Sequence, residues 1–119
     1  MYLPAPDEST WIGTLRLVLR VPGSRSLKDK RRALNQVRDK LRTRHNLSVA
    51  EVGHLEDHRR AILVAVMVAN DSRFVRSALD GLIHEVRGWR AAEIDDAQIS
   101  LMRPDDGTAP PHYDGPQHG

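Results

Sequence analysis

The chain has 119 residues, enough for one domain with a modest core and too few for two. It contains no cysteine, which excludes disulfides, thiol catalysis and Cys-ligated zinc. Net charge is only +2, yet residues 20–44 hold ten Lys and Arg against two Asp and Glu, an asymmetry that points to a polyanionic partner.

The opening "MYLPAPDEST" reads as an arm over residues 1–10. It is acidic and Pro-rich, without the cationic start and apolar centre of a signal peptide. Aromatic residues make up only 4% of the chain, so the core must rest on Leu, Val, Ile and Ala. "WIGTLRLVLRV" alternates, with Leu15, Leu17, Leu19 and Val21 on one side and Thr14, Arg16 and Arg20 on the other. That predicts a strand with one buried face. "VPGS" breaks it with a turn.

Ser26 is placed to cap the helix that follows, and Asp29 stands where a capping-box acid belongs. Leu27, Leu34, Val37 and Leu41 form the apolar stripe of that helix. Lys28, Arg31, Arg32, Arg38, Lys40, Arg42 and Arg44 lie off the stripe, and Arg25, Lys28, Lys30, Arg31, Arg32, Arg38, Arg42 and Arg44 form a candidate phosphate-binding surface. The helix should end near His45–Asn46, where Asn tolerates left-handed geometry.

"LSVAEVGH" reads as a second strand and "RAILVAVMVAN" as a third, joined through the polar hairpin "HLEDHR". The third strand is apolar on both faces, so it belongs in the middle of a sheet, and its longest apolar run is far too short to span a membrane. A second helix follows within "NDSRFVRSALDGLIHEVRGW". Asn70 or Asp71 can cap it, and Phe74, Val75, Ala78, Leu82 and Val86 lie on its stripe. "AEIDDAQISLMR" is the fourth strand, and the Pro-rich residues 104–119 read as a disordered tail.

The order is βαββαβ. Right-handed crossovers and one hairpin give an α+β architecture, an antiparallel sheet ordered 4-1-3-2 with both helices on one face: a ferredoxin-like plait over residues 11–103. This topology gathers Arg20, Arg59, Arg60, Arg87 and Arg90 into a secondary basic edge beside the first helix N-terminus. Alternation leaves Ile62, Val64, Val66 and Val68 on the open sheet face, a row that calls for a covering partner.

No constellation carries catalysis. Asp95 and Asp96 diverge on a strand, Ser24 and Ser26 lack a base, and "PGSRS" lacks the spacing of a P-loop. His54 and His58 do not converge on a metal across a hairpin, and no cofactor motif is present.

Three stretches, "VPGSRSLKDKRRAL", "NLSVAEVG" and "RAILVAVMVAND", resemble the YlxP-like family of small bacterial proteins, a domain of unknown function; the match runs from about Trp11 to Arg103. The resemblance implies the same plait and an association with translation, with Ser26–Arg32 as the shared surface and no catalytic residue. Many relatives carry a Trp where this chain has His58. The expectation is therefore a cytoplasmic, non-enzymatic protein docking on structured RNA or the ribosome through its first helix. The alternative is a homodimeric interaction module that uses the open sheet face and leaves the basic helix solvated.

Overall fold

A computed structural model describes residues 9–104. The element order is β1 (Trp11–Arg20), α1 (Leu27–Arg44), β2 (Ser48–Gly53), β3 (Arg60–Ala69), α2 (Ser72–Arg87) and β4 (Glu93–Met102). All strand pairings are antiparallel, and the four strands form one open sheet ordered β2-β3-β1-β4. The 4-1-3-2 order expected from the sequence is the same sheet read from the other edge. Residues 1–8 and 105–119, which hold His112, His118 and most of the proposed arm and tail, lie outside the described residues.

The sheet closes over a core of aliphatic side chains. Leu15, Leu17 and Leu19 of β1 and Ala61, Leu63, Ala65 and Met67 of β3 point to the same side. There they meet Leu34, Val37 and Leu41 of α1 and Val75, Leu79, Leu82 and Val86 of α2, so both helices cover one face. β1 and the helices are amphipathic, at a period of two and of 3.6, while β3 is apolar on both faces. Trp89 packs at the margin beyond α2, with the Lys40 ammonium 4.9 Å from its ring centroid.

Local signals operate much as read. Ser26 caps α1: the Asp29 N–H donates to its hydroxyl at 3.0 Å, and the Asp29 carboxylate accepts from the Arg25 N–H at 2.9 Å. Asp71, rather than Asn70, caps α2 by accepting from the Arg73 N–H.

Two expectations at helix ends are corrected. α1 ends at His45 with extended backbone, φ −146° and ψ 160°, so no left-handed Asn closes it. Phe74, assigned to the buried stripe of α2, is 50% exposed and meets the His45 ring edge-on at 6.1 Å. It precedes Val75, the true core position, and so sits about a quarter-turn off the stripe.

Two irregularities bend the edge strands. β4 skips a residue opposite Val18 and Leu19, which frees Asp95 from the register. The Asp95 carboxylate then accepts from Arg20 Nε at 2.6 Å. β2 shifts register between Glu51 and Gly53, leaving Val52 exposed.

Candidate nucleic-acid interface

The first helix divides its cations into classes. Arg25, Lys28, Arg31, Arg32 and Arg42 are exposed and have no carboxylate within ion-pair distance among the described residues. At 100° per residue, Lys28 and Arg32 face away from the core, and Arg31, Arg38 and Arg42 run down one flank. Arg38 is half-buried, and its Nε finds no acceptor. Arg44 turns to α2 and pairs with Glu85 at 2.9 Å, partly neutralised where a free cation was expected.

Lys30 corrects the sequence reading outright. It is 2% exposed. Its ammonium donates to Glu51 Oε2 at 2.8 Å and to the carbonyls of His54 and Arg60 at 2.9 and 3.2 Å, with the Leu55 carbonyl at 3.5 Å. A buried ammonium needs a counter-charge and acceptors, and these four supply both. Lys30 thus fastens the first turn of α1 to the β2–β3 hairpin and offers nothing to a ligand. The signal was present in the sequence, because Lys30 stands four residues before Leu34 and seven before Val37, on the buried stripe.

Two cations of the secondary edge, Arg20 and Arg60, are satisfied internally. Arg20 binds Asp95 and lies 3.5 Å from Glu93; these carboxylates hold its guanidinium more firmly protonated than an isolated one. Arg60 Nε pairs with Asp57 at 3.1 Å. Arg59, Arg87 and Arg90 stay exposed, with Arg90 and Arg32 lining a groove beside Gly23 and Ser24. The Ser24 hydroxyl is already spent on the Ser26 carbonyl at 2.9 Å, which weakens that groove as an anion site.

Asp57 organises the hairpin. Its carboxylate accepts from the Arg59 N–H at 2.8 Å and from Arg60. The Arg59 N–H first, then the Arg60 guanidinium, hold this carboxyl below the usual carboxylate range. A depressed folded value means the contribution of Asp57 to stability is complete above about pH 3.9 and fades as pH falls through the lower folded value. A carbon-detected NMR titration should give Asp57 a midpoint below about 3.9, and Asp57→Asn should remove that pH dependence. A midpoint at or above the ordinary value would contradict this geometry.

Among the described residues, no group of three or more metal-binding side chains could hold a metal ion, and no helix is long and apolar enough to cross a membrane.

Among solved structures, the de novo designed protein Foldit4 matches with a TM-score of 0.48 at 8% identity, over 78% of this chain and 96% of that one. SnoaB, a cofactor-independent oxygenase from Streptomyces nogalater, matches with a TM-score of 0.44 at 13% identity, over 79% of this chain and 91% of its own. No curated protein matches the sequence. One family model spans both helices, the hairpin and most of the sheet, residues 12–99, and by that match the chain belongs to the family described as protein of unknown function DUF503.

Proposed function

We propose that this protein is a non-enzymatic RNA-binding protein that docks on phosphates through the outer face of α1. The supporting observation is the group Arg25, Lys28, Arg31, Arg32 and Arg42, exposed and without carboxylate partners among the described residues. Surface cations with no internal role are free to displace counterions from a polyanion. Most of them are arginines, whose planar forks suit bidentate contact with phosphate.

The open sheet face lacks the stacked aromatics by which RNA-recognition domains of this layout hold single strands, so backbone contact to structured RNA is favoured over base stacking. The βαββαβ order supports assignment to the ferredoxin-like plait, and the YlxP-like resemblance supports a ribosomal RNA as the target.

Binding to ribosomal RNA or ribosomal subunits across a salt series tests this, comparing the native chain with the triple variant Lys28→Gln, Arg31→Gln, Arg32→Gln. The native protein should bind with a steep negative dependence on salt. Each lost phosphate contact removes about 0.7–0.9 from the log–log slope, so the variant should be shallower by about 2 to 3. No native binding at low salt, or an unchanged slope in the variant, overturns the proposal.

A further inference from the structure

No element among the described residues covers the sheet side opposite the helices. Leu63, Ala65 and Met67 are buried against the helices, so Ile62, Val64, Val66 and Val68 between them face the other way. Val18 sits directly opposite Ile62, and Met102 lies at the far end of β4, 53% exposed. Val68 is 62% exposed. Ile62, Val64 and Val66 are half-buried and Val68 is exposed; a central strand with four β-branched residues on an open face is unusual, because the hydrophobic gain from covering them fully is left unused.

Two charges on this face lack partners. Arg16, on the central strand β1, sits between Val64 and Gln98. Asp96, on β4, is opposite Val18, one pair further along. Neither makes an ion pair among the described residues. The face is therefore apolar along β3 and polar along β1 and β4, where Thr14, Gln98 and Ser100 lie; the ion-paired Arg20, Arg60 and Glu93 stand at one end, and Arg16 and Asp96 are its unpartnered charges.

We infer that this face is the interface of a two-fold symmetric homodimer. A two-fold contact is isologous, so each side presents the same patch to itself. The patch is self-complementary in charge: a second copy can bring its Asp96 to Arg16 and its Arg16 to Asp96, forming two equivalent pairs.

The size is adequate. Four strands about 4.8 Å apart and up to ten residues long, at about 3.3 Å each, cover roughly 600 Å² in projection. Side-chain relief raises the accessible area toward the ~800 Å² per partner of a standard interface. Pairing the sheets also places the two basic α1 helices on opposite outer sides, where their mutual repulsion is smallest. A contact through the helices would press like charges together.

Sedimentation velocity on the full chain, over a hundredfold range of concentration, tests the inference. The native protein should sediment at about twice 13.4 kDa. Val66→Glu, which places a carboxylate at the centre of the patch, should sediment as a monomer with its far-UV circular dichroism and unfolding midpoint retained. Arg16→Glu should weaken association about tenfold or more by setting like charges against each other, and adding Asp96→Arg should recover it.

A native monomer at every concentration overturns the inference. So does a dimer that survives Val66→Glu, which would locate the contact elsewhere, or one indifferent to Arg16→Glu. These outcomes are independent of RNA binding, which is read on α1.

Discussion

Replacing Lys30 with alanine should cost about 3 kcal/mol of folding stability, more than any other single charge removal on α1. The ammonium is 2% exposed and satisfies a carboxylate and hairpin carbonyls at once. Removing it strands Glu51 and these oxygens in a poorly hydrated site. Breaking a buried pair from one side typically costs about 3–5 kcal/mol, and the lower end applies here because the Glu51 side chain keeps 18% of its exposure. Urea unfolding followed by circular dichroism measures the loss.

The contrast with its neighbour is the sharper part of the expectation. Lys28→Ala, two residues away on the wet side, should change stability by no more than about 0.5 kcal/mol. The double variant Lys30→Met, Glu51→Met should recover much of the loss, because it removes both buried charges together. Equal effects for Lys28→Ala and Lys30→Ala would show that the ammonium is not held as described.

A second large effect is expected at Gly13. An added Cβ there would overlap Val75 Cγ1 and stand 2.9 Å from Leu79 Cδ1 and 3.3 Å from Leu101 Cδ2. The backbone is not in the left-handed region, so glycine serves here for space alone. It lets α2 lie directly on the central strand β1. Overpacking a filled core costs about 1–3 kcal/mol, so Gly13→Ala should lose about 2 kcal/mol and Gly13→Val more. Combining Gly13→Ala with Val75→Ala should cost less than the sum of the two, since the second change vacates the space the first requires. Strict additivity in the same urea experiment would argue against this contact.

The strands and helices were legible because each carries its period plainly. Leu15, Leu17 and Leu19 alternate, and Leu34, Val37 and Leu41 recur at helical spacing. The sheet order followed from chirality rules and the apolar character of β3. What escaped was specific to pairs of residues. Residue type alone groups Lys30 with the surface cations, although its spacing places it on the buried stripe. Its partner Glu51 stands two residues after Val49, a residue packed against the core, so an acid and a base both occupied inward positions. Only their joint reading reveals the latch. The ion pairs of Arg20 and Arg44 were illegible because they depend on a β-bulge and on the approach of α2 to α1, which no local pattern encodes.

The buried ammonium has a practical consequence. The chain has three lysines, and Lys28 and Lys40 lie in water while Lys30 does not. An acylating reagent will consume the first two quickly and reach the third only when the hairpin lifts away from α1. Its slow labelling is then a clock for that opening, readable by mass spectrometry without any engineered probe.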